Sequence, residues 1–152
     1  MTAHTSMESL DRDLVAGLNE LIEACTDGEM LYATASAEVQ DESLRQVLRG
    51  YCSQRAGFVR ELQQAIRARG ATPENEGTLR GRLHRALLEL REALEIRKDK
   101  LVLEECVHAD RVALAAYERV GRKLVAAPPE LRALFEQHVA AMRASLDRVS
   151  QF

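Results

Sequence analysis

Two segments of this chain carry acidic side chains and a cysteine at the same spacing. In both Glu23–Glu29 and Glu104–Asp110, an acid lies two residues before a cysteine and another acid four residues after it. Inward-facing carboxylates of this kind hold metal ions in four-helix bundles. The spacing therefore predicts a duplicated helical hairpin whose interior carboxylates could bind a divalent cation.

One interpretation of these residues is a metal site. Carboxylate and imidazole groups suit Fe, Mn or Zn, and Glu105 and His108 share one face of a helix. Two ligand sets fit the pattern. One consists of Glu23, Glu104, Glu105 and His138, and the other of Glu29, His108 and Asp110. From these two sets we take Glu23, Glu104, Glu105, His108 and His138 as the candidate metal ligands.

The second interpretation pairs the interior polar groups with one another. Helical spacing places five of them on or beside the apolar faces: Glu29, Gln54, Arg55, Asp110 and His138. Because buried charges are costly unless paired, Arg55 would pair with Glu29 or Asp110, and His138 would bond to a neighbour. We favour this buried network, since an arginine in a metal site repels the ion and satisfies its ligands. No catalytic or cofactor-binding residue is assigned.

Composition limits the class of protein. The chain has 152 residues, 46% hydrophobic and 30% charged, which suits one soluble domain with a core. The chain has no basic block and no aromatic stacking platform, so nucleic acid is not an expected partner. It also has neither a bilayer-spanning run nor a secretion signal, so we expect a cytoplasmic protein without a membrane partner. The three cysteines are then free buried thiols.

Apolar periodicity predicts an all-α fold. We expect a disordered tail over 1–8 and a single domain over 9–152. The predicted main helices are A from about Ser9 to Glu38, B from Leu44 to about Arg69, C from Lys100 to about Leu124, and D from Pro129 to Val149. A shorter amphipathic stretch, Leu79–Ile96, lies between B and C, and its leucines could also dock a partner. Short breaks within A–B and C–D favour antiparallel hairpins, and the long B–C connection favours a crossover.

Several short motifs resemble a known family. They are Leu21–Glu29, Gln54–Phe58 followed by Glu61 and Leu62, Leu83–Arg85, and Leu103–Cys106. In this order they resemble an uncharacterised bacterial family of four-helix-bundle proteins, a domain of unknown function in the ferritin-like superfamily. The resemblance extends over Leu14–Val149. It implies a ferritin-like antiparallel four-helix bundle with an extra crossover helix between B and C, in a cytoplasmic bacterial protein that self-associates.

The resemblance also implies where a di-iron centre would lie. Ferritin-like relatives with such centres supply a Glu from helices A and C and a Glu-x-x-His from B and D. Carried over, Glu23 and Glu104 or Glu105 are the single acids. The matching segment of helix B, Gln54–Gly57, has neither acid nor histidine, and that of helix D, His138–Ala141, keeps one ligand.

We therefore expect a non-enzymatic structural or binding module, a homo-oligomer without a cofactor, in a bacterial stress or accessory role. The alternative is a metal-binding ferritin-like protein with ferroxidase- or peroxidase-like activity at a reduced site containing Fe, Mn or Zn. The sequence leaves open whether the protein is an enzyme.

Overall fold

A computed structural model of the chain describes residues 2–74, 99–124 and 126–152. Within these ranges the protein has four α-helices and no strand, which confirms the all-α class. The helices are α1 Thr2–Glu38, α2 Glu42–Arg67, α3 Asp99–Lys123 and α4 Pro129–Val149. The predicted crossover helix, Leu79–Ile96, lies outside the described residues.

The helix ends follow local chemistry. Asp41 precedes α2 with extended backbone angles, and its carboxylate accepts a hydrogen bond from the Leu44 amide at 2.8 Å, which satisfies one free donor of the first turn. Gly70 follows α2 at φ +75°, a left-handed conformation that glycine adopts without strain. Pro129 begins α4, where its missing N–H and fixed φ cost nothing.

The start of α1 differs from the prediction. The helix begins at Thr2 rather than near Ser9. Residues 2–8 contain neither glycine nor proline, so no residue in this segment breaks the helical backbone.

The helices form a ring in which neighbours are antiparallel. α1 packs against α2 and α3, and α4 packs against α2 and α3. Tyr32 contacts Asp110 while Cys25 contacts Tyr117, so α1 and α3 run in opposite directions. The end of α2 meets the beginning of α1, where Arg69 and Asp11 form an ion pair at 3.2 Å.

α3 begins at the other end of the bundle. The Asp99 carboxylate accepts a hydrogen bond from the backbone N–H of Gln40 at 3.4 Å, and Gln40 lies just after the end of α1. α2 and α3 therefore run in the same direction, and α3 begins at the end of the bundle opposite to where α2 finishes.

Two apolar clusters fill the described core. The larger lies around Leu18, Leu62, Val120 and Phe135, and the smaller around Leu31, Leu48, Leu103 and Val149. A set of buried polar side chains lies between the two clusters along the helix axes. None of the described helices has the length and apolarity needed to cross a bilayer.

Candidate functional site

Each helix contributes one buried side chain to what we call the polar layer. Its members are Tyr32 on α1, Arg55 on α2, Asp110 on α3 and Ser145 on α4, each at most 1% exposed. An arginine and an aspartate buried this completely are rare unless they pair. Their complete burial therefore indicates that the charged members of the polar layer are paired inside the core.

Asp110 is the acceptor at the centre of the polar layer. Arg55 Nη2 donates to its Oδ1 at 2.9 Å, and the Tyr32 hydroxyl donates to its Oδ2 at 2.5 Å. Ser145 Oγ lies 3.2 Å from the same Oδ2 and also accepts from Arg55 Nη2 at 2.7 Å. The carboxylate thus has a hydrogen-bonding partner from each of the other three helices.

The Arg55 charge is further compensated within its own helix and by aromatic rings. Nη1 donates to the Gln54 side-chain oxygen. The guanidinium carbon lies 5.5 Å from the ring centroid of Tyr32 and 5.6 Å from that of Phe58, which is cation–π range. Nε is buried without a hydrogen-bonding partner among the described residues and faces Gly28. The network thus provides hydrogen-bond acceptors for the Nη1 and Nη2 groups of this guanidinium but not for Nε.

A second chain of contacts, the relay, again takes one side chain from each helix. Cys25 Sγ lies 3.4 Å from the Tyr117 hydroxyl, and that hydroxyl lies 2.6 Å from His138 Nδ1. His138 Nε2 lies 3.4 Å from Glu61 Oε1. The imidazole stacks on Phe58 at a centroid distance of 3.9 Å. The relay connects a fully buried thiol to a carboxylate that is 44% exposed.

Burial fixes the protonation of the relay. It raises the pKa of the Cys25 thiol to about 12, although the Tyr117 hydrogen bond partly opposes the rise. It raises the pKa of Tyr117 far above the usual phenol range, and the nearby Cys25 adds to this effect. Burial lowers the pKa of His138, against the opposing effect of Glu61. At neutral pH the thiol and phenol are protonated and the imidazole is neutral.

The relay opens at Glu61 into a cleft between α2 and α4. The cleft has a volume of about 700 Å³, and its lining includes Asp11, Glu61, Gln64, Arg69 and Glu130. Solvent in the cleft can therefore reach the outer end of the relay.

The predicted metal ligands are not brought together. Cys25 faces Tyr117, so Glu23 on α1 lies near the level of residue 119 on α3. At about 1.5 Å per residue, Glu104 is about 20 Å further along the axis. Glu104 and His108 are exposed, Glu23 and Glu105 are half-buried, and His138 is fully buried in the relay. No three His, Cys, Asp or Glu side chains within residues 2–74, 99–124 and 126–152 are grouped to hold a metal.

Four of the five residues of the predicted buried network take part in the contacts of the polar layer or the relay, and Glu29 does not. Arg55 pairs with Asp110, one of the two acids that the sequence allowed, and Gln54 bonds to Arg55. His138 belongs to the relay. Glu29 is half-buried on α1. Burial raises the pKa of its carboxyl group, and the charge of Arg60 only partly opposes this rise.

The predicted network lacks five members of the polar layer and the relay: Cys25, Tyr32, Glu61, Tyr117 and Ser145. Helical spacing points to two of them, Glu61 and Ser145. Ser145 lies seven residues after His138, and Glu61 lies seven residues after Gln54, so each shares a helical face with a residue of the predicted network. That spacing was the available signal, but neither residue type stands out on a helix.

The fold and the site together define an all-helical bundle with a self-paired polar layer in its core. The chain belongs to the family described as Domain of unknown function (DUF2383), whose model matches residues 13–123. The match includes Tyr32, Arg55 and Asp110, while Ser145 and His138 follow it. Neither the curated proteins nor the solved structures yield a match to this chain.

Proposed function

We propose that the protein is a non-enzymatic structural or binding module built on a ferritin-like bundle, in a bacterial stress or accessory role. The observation that carries the proposal is the ion pair between Arg55 and Asp110, each with a side chain 1% exposed. The guanidinium is a fixed cation at the level where all four helices present polar groups. A divalent metal there would have to overcome its charge.

The path of the chain supports the ferritin-like part of the proposal. α2 and α3 are parallel, and α3 begins at the end of the bundle opposite to where α2 finishes. A chain that leaves α2 at one end of the bundle and enters α3 at the other has the connectivity for which ferritin-like folds use a single long crossover.

We further propose that the protein is cytoplasmic and self-associates, with neither nucleic acid nor membrane as a partner. The three free thiols are compatible with a reducing compartment. Light scattering coupled to size-exclusion chromatography measures the assembly, and a mass of two or more chains is expected. A monomer at all concentrations up to the micromolar range would contradict self-association.

Elemental analysis tests the central part of the proposal. The protein is purified without chelator from medium supplied with Fe, Mn and Zn, together with Glu104→Ala and His138→Gln variants. We expect metal far below one atom per chain, at the same level in all three proteins. Stoichiometric metal that is lost in either variant would instead support the alternative, a ferritin-like metalloprotein with ferroxidase- or peroxidase-like activity.

A further inference from the structure

The Tyr117 hydroxyl lies between a base and a thiol. His138 Nδ1 is 2.6 Å away, Cys25 Sγ is 3.4 Å away, and Tyr117 itself is 2% exposed. With His138 neutral, one arrangement satisfies every group. Cys25 S–H donates to the Tyr117 oxygen, Tyr117 O–H donates to Nδ1, and Nε2–H donates to the Glu61 carboxylate.

This arrangement restricts how Tyr117 can lose an electron. Burial holds the phenol in its protonated form, so oxidation does not begin from a phenolate. A phenol radical cation would place an uncompensated charge in the core, which is costly. Electron loss is therefore favourable only if the phenolic proton leaves for a base already within hydrogen-bonding distance. Neutral His138 is such a base.

We propose that Tyr117 is a one-electron redox site that gives its phenolic proton to His138 on oxidation. A one-electron oxidant of high potential accepts one electron from the ring. The O–H bond breaks and an N–H bond forms at Nδ1, which leaves a neutral phenoxyl radical and an imidazolium. The relevant oxidant is an external acceptor that approaches at the cleft lined by Glu61. The inference does not depend on the proposed structural role.

Charged groups on neighbouring helices set the energy of the imidazolium. From α2, the Glu61 carboxylate faces Nε2 at 3.4 Å and stabilises the cation, while the charge of Arg55 opposes it. From α3 and α1, the contacts of the relay are the uncharged Tyr117 and Cys25. Glu61 is thus the group whose charge supports proton transfer, and it is a positioning residue rather than a redox centre.

The chain contains its own matched control. Tyr32 is as buried as Tyr117, but its hydroxyl donates to Asp110, a carboxylate already paired with Arg55. A proton passed to Asp110 would neutralise the carboxylate and leave the buried Arg55 guanidinium without its counter-charge, which is costly in the core. The chain has three tyrosines and no tryptophan, so Tyr32 and Tyr51 are the aromatic competitors for oxidation.

Flash photolysis tests the proposal on the full-length protein. Tris(bipyridine)ruthenium(II) is excited with pentaamminecobalt(III) chloride as the electron acceptor, which yields a one-electron oxidant within microseconds. Transient absorption and freeze-quenched electron paramagnetic resonance then measure the phenoxyl radical. The proteins compared are the wild type, Tyr117→Phe, Tyr32→Phe and Glu61→Gln, each checked for folding by circular dichroism.

We expect Tyr117→Phe to lose most of the radical signal and Tyr32→Phe to keep it. Glu61→Gln should slow radical formation by about tenfold or more, because the imidazolium loses its counter-charge. The wild-type rate should fall in D₂O, since a proton moves in the same step. A signal that persists in Tyr117→Phe would overturn the proposal. A radical on Tyr117 whose rate is unchanged both in Glu61→Gln and in D₂O would also overturn it.

Discussion

Asp110→Ala is expected to be among the most destabilising substitutions in the described core. The change removes an acceptor shared by three buried side chains and leaves the Arg55 charge, with 1% of its side chain exposed, without a counter-ion. Breaking a buried ion pair from one side costs about 3–5 kcal/mol. Because domains of this size are stable by about 5–15 kcal/mol, the variant should be close to unfolding.

Urea unfolding followed by far-ultraviolet circular dichroism measures the loss. The matched control is Glu118→Ala, which breaks the exposed pair with Arg143, an N···O distance of 3.9 Å with side chains 58% and 64% exposed. Exposed pairs contribute about 0–1 kcal/mol, so this control should unfold almost as the wild type does.

A full apolar replacement separates the effect of the unpaired charge from that of side-chain size. In a quadruple variant, Tyr32→Phe, Arg55→Met, Asp110→Leu and Ser145→Ala remove every donor and acceptor of the polar layer together. Such replacements are often neutral or stabilising by about 1–4 kcal/mol, so the variant should recover most of the loss. If Asp110→Ala cost under about 1 kcal/mol, the ion pair would not be a determinant of the fold and the reasoning would fail.

Further predictions concern backbone positions and pH. Gly28→Ala should raise the free energy of unfolding by about 0.5–1 kcal/mol, since the added Cβ would meet its nearest neighbour at 3.6 Å, an ordinary contact distance. Gly17→Ala should lower the free energy of unfolding, since its Cβ would lie 2.8 Å from Val120 Cγ1 and would clash with it. Thermal denaturation of the two variants measures both effects. Asp41→Ala should cost about 1 kcal/mol through the lost cap, and a urea midpoint unchanged from the wild type would contradict this. Burial lowers the pKa of His138 in the folded state below its ordinary 6.5, so the unfolded chain binds more protons. Stability should therefore fall as pH decreases through 6.5 toward the folded pKa, and a His138→Gln variant measured over the same range should lose that part of the slope.

The positions of most helix ends follow from local sequence. Asp41 and the Pro128–Pro129 pair mark the starts of α2 and α4 because a cap and a fixed φ act within a few residues. The start of α1 could not be read in this way. Thr2–Glu8 is polar but contains no helix-breaking residue, and polarity alone does not end a helix.

The buried network could be predicted only in part. The apolar face of α2 identified Arg55, because a charge between buried residues needs a partner. The sequence could not choose between Glu29 and Asp110, since both lie near an inward face. Tertiary packing decides the pairing, with Asp110 Oδ1 2.9 Å from Arg55 Nη2.

The direction of the helices explains why the predicted metal ligands do not converge. Glu23 and Glu104 correspond when the two repeat segments are aligned by their cysteines. α1 and α3 are antiparallel neighbours, so a step along one helix is matched by a step in the opposite direction along the other. Two residues that correspond in the repeat therefore lie at different levels of the bundle, except near the one level where the two helices pair corresponding residues. Here the separation reaches about 20 Å, which a motif of types and spacings does not encode.

The claim that the core neutralises its own charges is tested most directly by anomalous diffraction. Crystals would be soaked separately in Fe(II), Mn(II) and Zn(II), and data collected at each absorption edge. We predict no anomalous peak in the interior of the bundle, from the level of Glu23 and His138 to the level of the polar layer. The Arg55 guanidinium should remain in contact with the Asp110 carboxylate. A peak coordinated by Asp110 or His138, with Arg55 displaced, would contradict the account.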